Sequence, residues 1–253
     1  MELELILWTG YVFVIGLMFG SFFNVVGLRV PHGQSLMGRS ACPSCDHTLG
    51  VVELIPVIGY LVLRGRCKHC KSKISIRYPL IELVTAVLFA FSFVILHETM
   101  VEYMVIVAFV SLLVIVTVSD LAYREVPDVI LIVFAPILLG LRVFSPMPWY
   151  EGLIGAALGF SFMLFMAWYG KKRFGQEALG GGDIKLYALI GLVLGYNTVF
   201  LSVLFAGLSG LLYYALFRPE GRYLPFVPFI AIGSILAYFT GPAIIQWYVS
   251  LIM

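Results

Sequence analysis

The chain has 253 residues, 61% of them hydrophobic and only 12% charged, with a mean hydropathy of +1.02. Soluble domains run nearer about 45–50% apolar and 25% charged, so the composition excludes a soluble protein and indicates an all-α polytopic membrane protein. The net charge of +2 gives no basis for a nucleic-acid partner; its placement, described below, is more telling than its size.

A hydrocarbon core of about 30 Å needs roughly 20 apolar residues per helical span. Eight spans are read, at about 4–27, 79–96, 103–120, 128–144, 151–170, 183–196, 198–217 and 225–240. Residues 242–253 are too short to cross again and are expected along the last helix or at the interface. The first span has no small-residue cleavage site after it and is expected to stay in the mature chain. The organisation expected is a first transmembrane helix (1–28), a cytoplasmic four-cysteine insert (29–78) and a transmembrane catalytic domain (79–253).

Fifteen of the sixteen Lys and Arg fall in alternate loops. The first loop holds Arg29, Arg39, Arg64, Arg66, Lys68, Lys71, Lys73 and Arg77, and the third holds Arg124. Lys171, Lys172, Arg173 and Lys185 flank the fifth, and Arg218 and Arg222 lie in the seventh; Arg142 alone sits on the other side. Basic residues mark the cytoplasm, so these loops are cytoplasmic and both termini are outside. Eight spans give the same parity.

In chain order, Gly16 and Gly20 of the first span suit close helix packing, and Asn24 suits a bond to a neighbouring helix. The insert follows with all four cysteines, as Cys42-Pro-Ser-Cys45 and Cys67-Lys-His-Cys70, twenty-one residues apart. Two such knuckles suit a structural, tetrahedral Zn2+ site. A disulfide pair is the rival reading, disfavoured in a reducing cytoplasm. About fifty residues bury little core, so a metal staple also makes physical sense. His47 and His69 could replace a ligand but read better as solvated side chains. The apolar stretch Glu53 to Leu61 suits a helix lying along the membrane interface. Glu82 falls about one turn inside the second span, and an acid at that depth is a candidate site residue.

Asp120 closes the third span, where the helix macrodipole disfavours an anion. Asp128, after Pro127, reads as an N-cap. Trp149 and Tyr150 suit interfacial anchors. The chain's most unusual stretch is Ala178-Leu179-Gly180-Gly181-Gly182-Asp183-Ile184-Lys185, three glycines running into an acid at the head of an apolar span. The glycines allow a tight entry and leave room for an extended peptide alongside. Asp183 alone could be a helix cap, but Asp120 lies on the same cytoplasmic boundary. Two close carboxylates share a proton, so one can take a proton from water while the other polarises a carbonyl. That is the chemistry of aspartyl proteolysis. No span contains the H-E-x-x-H of a zinc protease. Gly207-Leu208-Ser209-Gly210 resembles a serine-protease motif, but its histidine would have to follow it and His97 is the last in the chain.

These residues carry a resemblance. Gly180-Gly181-Gly182-Asp183 fits the G-x-G-D motif of polytopic aspartyl proteases. Asp120 followed after six residues by Pro127-Asp128, with GSFFNVVGLRVP at 20–31, the paired C-x2-C, RYPLIE at 77–82 and GGGDIKL at 180–186, resembles the type IV prepilin peptidases in order. Presenilin-like proteases share G-x-G-D, but there a tyrosine precedes the first aspartate, and here Ser119 does. The resemblance covers about residues 16–240. It implies cleavage of the leader of pilin-like precursors after a glycine, on the cytoplasmic side of the bacterial inner membrane. It also implies N-methylation of the new terminus with S-adenosylmethionine, an activity for which the sequence shows no Rossmann-type fingerprint. Carried over, Asp120 and Asp183 are the catalytic pair and Cys42, Cys45, Cys67 and Cys70 the metal set. Gly180, Gly182, Lys185 and Glu82 are candidates for positioning substrate, and Glu53 and Glu82 are the acids to test in methylation. Asp46, Glu125 and Asp128 could meet the leader's basic residues. The alternatives are a proton- or ion-coupled transporter using the buried acids, though no related halves are visible, and an inactive scaffold whose cysteine loop docks a partner.

Overall fold

A computed structural model describes residues 2–175, 179–218 and 224–252; Arg222 and Ala178, named above, lie outside them. It is all helical apart from turns and two isolated β-bridges among those residues. The chain divides into two compact units, Met1–Tyr103 and Met104–Met253.

The first unit pairs α1 (Glu2–Arg29) with α4 (Arg77–Leu96), and the insert lies between them in sequence. The glycine spacing read from the sequence explains the pairing. A Cβ on Gly16 would meet the Ala86 backbone at 2.6 Å, and one on Gly20 would meet that of Glu82 at 2.7 Å. Helices approach this closely in a membrane only where a side chain is missing. Phe23 and Phe89 seal the contact above the glycines. Asn24 donates to the Tyr78 carbonyl of α4 at 3.3 Å, the interhelical bond expected of it.

The insert opens with a 3-10 turn, Val30–His32. The Arg29 guanidinium gathers the next loop by donating to the carbonyls of Ser35, Gly38 and Arg39. The expected interfacial helix over Glu53–Leu61 is instead two short pieces, α2 (Val51–Leu54) and α3 (Ile58–Val62). Pro56 breaks the ladder, and Val57 turns to φ 60°, an expensive conformation for a β-branched residue.

The second unit contains α6 (Asp128–Val143), α7 (Trp149–Phe174), α8 (Gly181–Phe217) and α9 (Val227–Ile252), together with most of α5 (Met100–Tyr123). Among the described residues, six helices rather than eight are long and apolar enough to cross a membrane. Two features account for the difference. The span expected at 128–144 is α6, with 16 residues, about 24 Å long and short of a 30 Å core. The spans expected at 183–196 and 198–217 both fall inside the 37-residue α8.

Gly195 interrupts α8 with φ 74° and ψ 171°, a conformation open essentially to glycine alone. Gly159 of α7 comes against both the Tyr187 carbonyl and a Val199 methyl. Residues that far apart in a straight helix would be separated by about 18 Å. The helix therefore folds back at Gly195 into two arms, 181–194 and 196–217. Gly155 of α7 packs on Gly191 and Gly195 at the bend. Arg142 is buried and donates to the Val193 carbonyl, two residues before the bend.

Residues 242–252 continue the last helix, α9, to Ile252 through Pro242, an interruption that helices in membranes tolerate.

Candidate active site

The second unit brings the two aspartates together. Asp120, in the last turn of α5, is buried, and Asp183 lies in the first turn of α8 within electrostatic reach of it. The unfavourable position of Asp120 at a helix C-terminus is offset by a group the sequence reading missed. Its Oδ2 accepts from the backbone N–H of Val227 at 3.0 Å, at the N-terminus of α9. An anion is favoured there because the first N–H groups of a helix lack internal partners. No side-chain motif signals that donor, since every residue but proline carries it. Arg124, at φ 59° in the loop leaving α5, adds a positive charge near Asp120. The Ser119 hydroxyl fixes the same loop by donating to the Glu125 carbonyl at 2.8 Å.

Asp183 accepts from the backbone N–H of Gly180, the N-cap of α8. Asp183 is thus not the N-cap itself, but from the first turn its carboxylate bonds back to the N-cap residue. None of Gly180, Gly181 and Gly182 has a positive φ, so the run does not serve a left-handed turn. The room expected beside Gly182 is taken: a Cβ there would meet the Val126 side chain at 2.7 Å. Gly182 therefore lets α8 start against the α5–α6 loop, while Gly181 has nothing within 4 Å.

Asp128 is not an N-cap. Pro127 holds that position without a side-chain bond, and both Asp128 carboxylate oxygens accept from Lys185 Nζ, at 2.8 and 2.7 Å. This exposed pair ties the start of α6 to the first arm of α8, with Lys185 two residues after Asp183. Of the other residues named for the site, Gly180 lies against Asp183, Gly182 against Val126 and Lys185 against Asp128, whereas Glu82 belongs to the first unit. There it is buried and accepts from the N–H of Val57 at 2.7 Å, holding the strained turn before α3.

The first unit also assembles the four cysteines, whose Sγ atoms all lie within 4.8 Å of one another. Sulfurs about 2.3 Å from a tetrahedral zinc would lie roughly 3.8 Å apart. Cys42 and Cys70 are 3.8 Å apart, so the donor set fits that ion. The two knuckles repeat one backbone pattern. Cys42 N–H donates to His47 O and accepts Asp46 N–H on its carbonyl; Cys67 does the same with Ser72 and Lys71. Asp46 and Lys71 both take positive φ to close the turns. The Ser44 backbone N–H, with the Ser72 hydroxyl, holds the Cys42 thiol down at about 6, whereas Cys45, despite the His47 backbone bond, is pushed up to about 12 by burial and the neighbouring sulfurs. His47 and His69 stack on each other with ring centroids 5.2 Å apart, remain open to solvent as expected, and do not belong to the cysteine cluster.

The comparisons with known proteins follow the same division. A model described as the bacterial peptidase A24 N-terminal domain matches residues 14–96, and that of the type IV leader peptidase family matches residues 107–215. A prepilin leader peptidase/N-methyltransferase of Bacillus subtilis (strain 168) is 43% identical, across 94% of this chain and 97% of the relative.

The chain belongs to the type IV leader peptidase family.

A prepilin leader peptidase/N-methyltransferase of Aeromonas salmonicida (strain A449) is 31% identical over 98% of this chain and 96% of its own. The type 4 prepilin-like proteins leader peptide-processing enzyme of Escherichia coli O78:H11 (strain H10407 / ETEC) is 31% identical over 87% and 89%. No solved structure matches the chain. Membership of the peptidase family makes this chain an enzyme, and its apolar helices make it a multi-pass membrane protein.

Proposed function

We propose that the chain removes the leader of pilin-like precursors by aspartyl proteolysis at Asp120 and Asp183 and then methylates the new N-terminus. The observation that carries the proteolytic half is the meeting of two acids from separate helices, one buried, in a single compact unit. The names of the family's relatives support the methylating half.

With one proton between the two carboxylates, the ionised one takes a proton from water as the water oxygen attacks the scissile carbonyl carbon. The protonated one donates to the carbonyl oxygen. Collapse of the tetrahedral adduct breaks the C–N bond, and the amine leaves with a proton from the pair. Gly180 and Gly182 set the start of α8 and Lys185 pins it through Asp128, so these residues position the site. Glu82 acts from the first unit, on the methylation side.

Cys42, Cys45, Cys67 and Cys70 would hold a structural Zn2+ that fixes the insert. S-adenosylmethionine, when bound, supplies an electrophilic methyl group. Counting α6 and both arms of α8 gives eight crossings, with both termini outside and the aspartates at the cytoplasmic face of the inner membrane; the basic loops support this orientation. The domains proposed are 1–28, 29–78 and 79–253.

The test is cleavage of a prepilin-like substrate in vesicles, read by mass spectrometry. Asp120→Asn and Asp183→Asn should each abolish cleavage, and the parent's product should carry the mass of one added CH2. Normal cleavage by both variants would refute the aspartyl reading and favour ion transport.

A further inference from the structure

The first unit contains a cavity of about 430 Å³, bounded by the cytoplasmic end of α1, the start of α4 and the underside of the cysteine insert. Sites for small molecules span roughly 300–1,000 Å³ and combine apolar walls with a few converging polar groups. Val25, Leu28 and Ile55 supply apolar wall, and Tyr60 an aromatic ring. Two carboxylates face the same space. The Glu53 side chain is only 7% exposed; its Oε2 accepts from Gly50 N–H at 2.7 Å and lies 3.7 Å from His47 Nε2, while its Oε1 is buried without a hydrogen-bond partner. Glu82 is 8% exposed and gives Val57 its bond through Oε2.

A buried carboxylate oxygen with nothing to accept is costly, and the group that relieves it is a cation or a donor. Two cations already line the cavity, but Arg29 is engaged by the carbonyls of residues 35–39, and Lys73 is exposed.

We propose that this cavity is the methyl-donor site, taking an adenosyl sulfonium such as S-adenosylmethionine, with Glu53 and Glu82 facing its positive charges. The assignment rests on the methylating half of the proposed function. The volume suits a nucleoside with an amino-acid tail, the ring of Tyr60 suits a purine face, and the ammonium of Lys73 suits the ligand's carboxylate. It also gives the cysteine cluster a purpose beyond holding its own loop: Cys42 and Cys67 form part of the cavity wall.

Titration calorimetry of the full chain in detergent micelles reads binding without turnover. The probes are S-adenosylmethionine and its neutral thioether product, S-adenosylhomocysteine. Glu53→Gln should weaken the sulfonium by about tenfold or more and the thioether less, because a charged partner strengthens a hydrogen bond. Val25→Trp, which fills the cavity, should abolish both. Zinc content and the melting transition show that each variant is folded, and the near-isosteric Glu53→Gln keeps the test open if Val25→Trp unfolds. Ultraviolet cross-linking of radiolabelled S-adenosylmethionine should mark peptides within residues 21–82. Parent-like affinity in folded variants, or label outside those residues, overturns the site and leaves methylation standing. A parent chain that binds neither probe overturns both.

Discussion

The two units bury their acids by different means. In the second unit, Asp120 and Asp183 ride on helix ends, where long apolar segments fix their positions and the N–H groups of α9 and Gly180 receive them. In the first, Glu82 rides on α4 but gives its bond to the strained turn at Val57, and Glu53 lies in a cysteine-closed insert with little apolar core. A site carried wholly on helices depends on packing, whereas one completed by an insert depends also on the insert's staple. The two should therefore fail under different insults, which makes the comparison testable.

The largest effect is expected at the aspartates. Asp120→Asn or Asp183→Asn should lower kcat for cleavage by at least about 10²–10⁴-fold. The double variant should be scarcely worse than either, since the two act as a unit; a further large loss in single-turnover assays would mean that they act independently. Next comes the staple. Structural zinc contributes apparent binding energies of about 10–16 kcal/mol in small zinc peptides. Replacing Cys42, Cys45, Cys67 and Cys70 by serine should expose residues 40–75 to hydrogen exchange and suppress methylation more than cleavage. If cleavage is lost with the insert still protected, the division between the units is wrong.

Gly195→Ala forces a side chain into a region open essentially to glycine, at a cost of about 1–3 kcal/mol. It should lower the thermal midpoint by several degrees and weaken cleavage while leaving zinc content unchanged. The smallest change belongs to Asp128→Asn. An exposed ion pair contributes about 0–1 kcal/mol, so cleavage should change by less than about fivefold, and the residual difference should shrink in high salt.

Some of this was visible in the sequence because it was anomalous there. An acid closing an apolar run, glycines before another acid and paired C-x2-C units each break a local expectation, and each marks a feature of the folded chain. The Asp128–Lys185 pair was not visible, because partners 57 positions apart meet only through tertiary structure. Asp128 after a proline satisfied a local rule, and the competing ammonium prevailed. Glu82 was legible as a buried acid but not as the acceptor for Val57. The bend at Gly195 lay close to a boundary drawn from hydropathy, yet only the shared contact of Tyr187 and Val199 with Gly159 reveals a reversal.

Both Asp120 and Glu82 are anchored by main-chain donors, at Val227 and Val57. A backbone N–H does not depend on the side chain beside it, so these anchor positions can drift through much of the amino-acid alphabet while the acids they serve cannot. One substitution is closed to both, because proline has no N–H to give. Each anchor already has a proline as its immediate neighbour, Pro228 after Val227 and Pro56 before Val57. A single-residue slip in either loop would place the ring where the donor must be, so chain length at these two points is more tightly constrained than residue identity.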